Sequence, residues 1–377
     1  MTCNQTELAK ETNVPNVTPT NFYGIPVSGS RRFFISDNPE TIRSSDFTNA
    51  NTNMITLWDD TVSSQSTVKY RVFFWHLNGT SQPIKVGFTI GNGSTTDTYT
   101  VSNINTGVAI TNNFLQQGKC AAAALLAGTL DGGNSNISVP KNSLKVIKEW
   151  TVNPGYLVGG VMEFDISNAT NSSSALIYKI RSVAGKDTSQ DLTKHQGFVV
   201  RAGTDSNGNP TKHPRGSWSF SDISGSMNTS TVQPFVYNVG SAPASVNVSN
   251  KDYDNIMKAN TSYKNPSSPD YAIPYDNPGH YGVIYQVPLR FVNNTTADKT
   301  VKINLCARGG SYLGAVRANN ITKIVPVISP PASGATTQES VQVVSVNVPK
   351  GATVDYTIKI SNGGGANTAV AVLMSTI

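Results

Sequence analysis

The groups in this chain able to do chemistry are four histidines, three cysteines, a scatter of carboxylates and a set of loop tyrosines. His76, His195, His213 and His280 stand far apart, with no His-x-His pair and no metal-ligand spacing. Asp59, Asp60, Glu149, Glu163 and Asp165 could supply the two acids of a glycosidase, yet all fall at strand ends or within strand patterns, where carboxylates are commonplace. Neither a Gly-x-Ser-x-Gly elbow nor a P-loop is present. Asp205 to Asn209 (DSNGN) alternates oxygen-bearing side chains as a calcium loop does. Its glycine holds the fourth place instead of the sixth, however, and Gly216 stands where a bidentate Glu is needed, so a turn at Asn207-Gly208 is the preferred reading. Asp252, Asp254, Asp270 and Asp276 read as solvated loop carboxylates. The expectation is a protein without catalysis, cofactor or metal.

Cys3, Cys120 and Cys306 are widely spaced, lack a C-x-x-C, and leave one thiol over from any intrachain pair. A single disulfide with a spare thiol is one reading. The sharper one places Cys3 on an extended arm that reaches a neighbouring subunit and bonds to Cys306 or Cys120 there. Cys306 is favoured because strand parity sets it with Lys302 and Asn304 on a polar face, whereas Cys120 adjoins an apolar run of alanines. A disordered arm with Cys3 unused is the competing expectation.

Exposed aromatics could instead stack on sugars. Tyr271, Tyr275 and Tyr281, set in a loop with Pro274 and Pro278, are the candidates; Trp75 and Trp150 sit inside strand patterns and read as packing, and Trp218 is a further aromatic.

The elements that must carry these groups are strands. Val68, Tyr70, Val72 and Phe74 alternate with Lys69 and Arg71, the period of a half-buried strand, and Asn78-Gly79 then predicts a hairpin into a second strand through Ile84, Val86, Phe88 and Ile90. Tyr285, Val287, Leu289 and Phe291 repeat the alternation, and Pro288 predicts an edge or a bulge because it cannot donate to a ladder. A helix is predicted only over 113–128, from Phe114, Leu115 and the alanine run. The fold expected is all-β, with two β-sandwich, jelly-roll-like regions: an arm at 1–20, a first region at 21–190, an irregular connector at 191–230 and a second region at 231–377.

Composition narrows the role. Of 377 residues only 14% are charged, and Asn, Ser, Thr and Gly carry the polarity, as in extracellular β-proteins. The net charge of +6 is not gathered into a basic strip, which argues against a nucleic-acid partner. No apolar stretch approaches a membrane span, and residues 1–20 show no signal-peptide core. N-x-Ser/Thr triplets, such as those at Asn78, Asn136, Asn168, Asn247, Asn260 and Asn320, are what an Asn-rich chain produces by chance.

Several phrases also resemble a family: FFISDNPETI at 33–42, VFFWHLNGTSQPIKVGFTIGNGS at 72–94, HPRGSWSF at 213–220, GHYGVIYQVPL at 279–289 and NLCARGGSYLGAV at 304–316. They are similar to phrases in exported proteins of spore-forming Gram-positive bacteria that often carry the label "copper amine oxidase N-terminal domain protein". The resemblance implies an extracytoplasmic all-β surface protein and supplies no catalytic residues. An oxidase would need a tyrosine-derived quinone and a histidine cluster at copper, which the four isolated histidines do not make. The reading is an extracellular or cell-surface structural subunit that assembles with itself through its arm and sheet edges; a glycan-binding surface module is the alternative.

Overall fold

The computed structural model describes residues 3–62, 64–133, 135–194, 199–200, 203, 211, 213–258 and 276–377, and the backbone of 263–264 and 272–273. It is 53% strand and 7% helix. An N-terminal stretch carries β1 (Lys10–Pro15), β2 (Thr20–Asn21) and β3 (Tyr23–Pro26). Next come β4 (Arg32–Ser36), β5 (Thr41–Ile42), the short helix α1 (Ser44–Asn49), β6 (Met54–Asp60), β7 (Thr67–Asn78), β8 (Ile84–Asn92) and β9 (Tyr99–Thr111). Helix α2 (Phe114–Ala127) leads to β10 (Asp131–Gly133), β11 (Ile137–Val139), β12 (Leu144–Val152), β13 (Leu157–Asn168) and β14 (Tyr178–Gly185). Then follow β15 (Arg215–Trp218), β16 (Asp222–Ser226), β17 (Phe235–Asn238), β18 (Ala244–Val248), β19 (Tyr263–Lys264) and β20 (Ala272–Ile273). The last stretch holds β21 (Ile284–Val292), β22 (Lys299–Ala307), β23 (Tyr312–Ala318), β24 (Ile321–Ile328), β25 (Thr337–Val348), β26 (Thr353–Asn362) and β27 (Val370–Thr376).

Four large sheets make two sandwiches. In the first, a sheet ordered β9-β13-β7-β4-β15 faces a sheet ordered β12-β8-β14-β6. In the second, β24-β23-β26-β21-β16-β3 faces β1-β25-β22-β27-β18-β2. The period-2 rule explains the layering. Along β7, Tyr70, Val72 and Phe74 enter the core of the first sandwich, while the alternate Phe73 and Trp75 enter the core of the second. One sheet is therefore buried on both faces, and the two apolar cores are separated only by its thickness. Arg71, expected on a wet face, is buried at this junction and bridges the sandwiches: it donates to Glu163 at 2.8 Å and to Asp222 at 2.5 Å.

The predicted helix forms as α2. Asn113 accepts from the Gln116 N–H at its start, and Gly128 ends it with φ +69°, a conformation that favours glycine. Buried Gln117 donates to the Gly107 and Gly159 carbonyls of the first sandwich, and Arg317 of the second donates to the Leu126 carbonyl at the helix end. The alanines let the helix lie close against Ala315 and Ile324.

Asn78-Gly79 does not make a hairpin. β7 pairs with β13 and β4, and β8 pairs with β12 and β14, so the chain arches from one sheet to the other. The reason lies in the Asn78 side chain, whose amide donates to the Gln82 and Val152 carbonyls while its oxygen accepts from Thr80. Asn293 builds the same clamp between β21 and β22, donating to Ala297 and Val348 and accepting from Thr295. The correspondence extends further, since Gly155 N–H donates to Asn78 O and Gly351 N–H donates to Asn293 O. β7, β8, β12, β13 and β14 thus have counterparts in β21, β22, β25, β26 and β27, and the two sandwiches repeat one plan.

Pro288 lies at neither an edge nor a bulge. On one side β21 pairs continuously with β26; on the other, Ile284–Gln286 pair with β16 and Leu289–Val292 with β17. The proline sits at the gap between those partners, where a donor is not needed. Within 191–230, read as irregular, β15 extends the first sandwich and β16 lies inside the second. No helix among the described residues is long and apolar enough to cross a membrane.

Candidate functional site

The N-terminal stretch lies along the edges of the second sandwich of its own chain. Leu8 N–H donates to Ile324 O, and Ile324 N–H donates to Thr6 O; β1 pairs with β25, β2 with β18 and β3 with β16. Side chains reinforce the backbone. Glu11 takes Lys302 at 2.8 Å and Asn304 at 2.7 Å, Arg308 donates to Asn16 and to Val17 O, and Lys10 pairs with Glu339 at 2.9 Å.

Cys3 and Cys120 form a disulfide within the chain, their Cα atoms 5.0 Å apart. The preferred partner, Cys306, is a free and fully buried thiol. Parity did turn Cys306 to the face that carries Lys302 and Asn304, but the arm covers that face: Val14 and Val17 pack on Cys306, Ala371 and Leu373. Burial pushes the Cys306 thiol up to about 12, so it is inert as a nucleophile. Cys120 is buried, as expected, and α2 presents it to the arm.

The carboxylates weighed as glycosidase acids are engaged by cations. Asp60 accepts from Arg32 Nε and Nη2 at 2.5 Å and from Tyr70; Asp59 pairs with Lys179, Glu163 with Arg71, Asp165 with Arg31 and Glu149 with Lys85. Ser249 and His280 lie 3.1 Å apart beside Asp254, but all three are buried, out of reach of any substrate.

Tyr271, Tyr275 and Asp205 to Asn209 lie outside the described residues. Tyr281 is not a free platform. It is partly buried, its ring stacks on Phe73 at 6.2 Å, and its hydroxyl donates to Ala366 O. Trp75 and Trp218 are buried, and Trp150 packs on Phe74.

Tyr281 does line a cleft of about 390 Å³ at the junction of the sandwiches, with Asp37, Glu40, Trp75 and His213 on one side and residues 364–368 on the other. Strand β4 ends at Ser36 and delivers Asp37 to Glu40; β15, paired to β4, is preceded by His213. The two segments are locked together, because Asp37 N–H donates to Pro214 O and the Asn38 amide donates to the Thr211 and His213 carbonyls. His213 Nδ1 lies 3.3 Å from Glu40 Oε2 and 3.8 Å from Asp37 Oδ2.

Burial lifts the Asp37 carboxyl to about 7 despite the neighbouring His213, and Asp37 in turn holds His213 above the ordinary imidazole range. Beneath them His76 is fully buried and pushed down to about 4 by desolvation. Pro39 O can only accept, so His76 Nδ1 carries the proton and Nε2 accepts from the Ser36 hydroxyl. No local sequence pattern marks this cluster, because Asp37 and His213 are 176 positions apart. Residues of segments 33–42, 72–94, 213–220 and 279–289 meet at the cleft.

No protein-family model and no curated protein matches the chain. Among solved structures, the N-terminal CBM22-1-CBM22-2 tandem domain of Paenibacillus barcinonensis Xyn10C aligns over 100% of this chain and 92% of that one, with 8% identity and a TM-score of 0.18. A Bacillus thuringiensis Cry1Da tryptic core variant aligns over 84% of this chain and 53% of that one, with 11% identity and a TM-score of 0.20. At these scores neither likeness carries weight for function.

Proposed function

We propose that the protein is an extracellular or cell-surface structural subunit that assembles by exchanging its N-terminal arm with a neighbouring copy. The observation that carries this reading is the arm itself: residues 6–26 add backbone pairing to edges of both sheets of the second sandwich and contribute little to the first. An element that docks on strand edges can do so on its own chain or on an identical one, the logic of strand addition and domain swapping. Residues 27–31 connect the arm to β4 through a turn with Gly29 at φ +73°, and they are where the chain would redirect. In an exchanged assembly Cys3 of one copy bonds to Cys120 of the next, and each junction becomes covalent in an oxidising milieu. The disulfide fits the proposed location outside the cytoplasm.

Native material dissolved in denaturant and run on a non-reducing gel tests the reading. Exchange gives a ladder of linked chains that collapses on reduction and is lost in Cys120→Ser. Monomer alone, from fresh and from concentrated material, means that each arm closes on its own chain and the reading fails.

A further inference from the structure

We propose that Asp37, Glu40 and His213 form a binding site for one divalent transition-metal ion, with zinc the best chemical match. The three potential ligand atoms lie within 4.8 Å of one another, two of the separations being 3.3 and 3.8 Å. Two bonds of ~2.1 Å meeting at a tetrahedral angle span ~3.4 Å, so a small ion fits with little movement.

Proximity of a histidine and two carboxylates is not sufficient, since an ordinary ion pair would look similar. The second observation concerns Asp37. The residue is 6% exposed, lines the cleft, and its Oδ1 is buried with no hydrogen-bond partner among the described residues. A carboxylate oxygen withdrawn from water and given no donor is a costly arrangement, and it calls for an explanation such as an ion. The surrounding backbone is built to hold it there. Asn38 clamps the carbonyls on the His213 side, and Leu77 N–H donates to Glu40 O, so all three ligands are fixed from behind.

The donor set selects the metal. Calcium and magnesium prefer all-oxygen shells, and copper(I) prefers thiolate, whereas one imidazole with two carboxylates suits zinc and its neighbours. Three protein ligands would leave a coordination position unfilled, the arrangement of an open site, and all three residues line the cleft. Lys251 also lines that cleft, and its charge opposes a second cation. The site is independent of arm exchange, since none of its residues belongs to the arm.

The test is calorimetric titration of the untagged full chain, freed of metal by chelator, with Zn²⁺ alone. Saturable binding of one ion per chain is expected. Asp37→Asn and His213→Gln should each weaken it by about a hundredfold, and Glu40→Gln by about tenfold. Metal-free melting curves accompany each variant; His213 is partly exposed, so its replacement serves if Asp37→Asn does not fold. Cobalt substitution should give visible absorption bands that Asp37→Asn and His213→Gln lack. Absence of saturable zinc binding by the wild type, unchanged binding in a folded Asp37→Asn or His213→Gln, or displacement of zinc by equimolar Ca²⁺ would overturn the proposal.

Discussion

The two sandwiches follow one plan, yet they protect their edges differently. In the first, the outer strand β12 carries Lys145, Lys148 and Glu149 and is kinked by a bulge between Val146 and Lys148. Charges and bulges of this kind discourage further pairing. Its counterpart β25, reading TQESVQVVSVNV, has one charged residue, Glu339, and β1 covers it. One edge is defended by its own side chains, the other by a borrowed strand. An edge that depends on a borrowed strand is the natural place for a neighbour to enter, so the proposed assembly would run through the second sandwich.

The predictions test that contrast, beginning with the largest effect. Leu289→Asp places an unpaired charge at a buried position in the second core and should cost several kcal/mol, enough to unfold the protein. Because Phe73 and Trp75 of the first sandwich belong to that same core, both sandwiches should be lost together and no calorimetric transition should remain. A surviving transition for the first would show that the two are separable. In a chain whose arm closes on itself, Cys120→Ser opens a cross-link spanning 117 residues and should lower stability by about 5 kcal/mol on the chain-entropy account, read as a shift in denaturant midpoint.

Asn78→Ala and Asn293→Ala each strip a buried clamp that serves two carbonyls and should cost about 2 kcal/mol apiece. Equal losses in urea denaturation would support the repeated plan, and a large inequality would break it. The smallest net effect in the wild type is on pH dependence, where two buried groups oppose each other. His76 is held near 4 when folded against 6.5 when free, so its contribution is present above pH 6.5 and is lost as pH falls towards 4. The loss is at most about 3 kcal/mol. Asp37, lifted to about 7, acts with the opposite sign over much of the same range, so the two contributions oppose each other. His76→Asn removes one of the two, and its stability relative to wild type should improve between pH 7.5 and pH 4.

Much of the fold was legible because alternation is a local signal. The strands around Tyr70 and Leu289, and the helix at Phe114, could each be read from a dozen residues. What failed depended on a third layer. Arg71 looked solvated and Cys306 looked exposed because strand parity distinguishes two faces without saying what covers each; here Asp222 and Val14, distant in sequence, do so. The Asn78 step misled for a related reason, since Asn-Gly specifies a reversal but not whether the next strand joins the same sheet. The clue was the repetition of Asn-x-Thr at 78–80 and 293–295, each with a glycine turn far downstream. The Asp37 and His213 cluster lay beyond such reasoning, because the pairing of β15 with β4 and the bonds from Asn38 unite residues far apart in sequence.

Arm exchange requires that an arm from another molecule can finish the second sandwich. The most direct measurement mixes a chain lacking residues 1–26 with a synthetic peptide of residues 3–26 and follows their binding, with hydrogen exchange at the β25 amides. The shortened chain should self-associate, the peptide should bind it one to one and dissolve the association, and the β25 amides should become protected as it does. A shortened chain that stays folded, monomeric and indifferent to the peptide would contradict arm exchange.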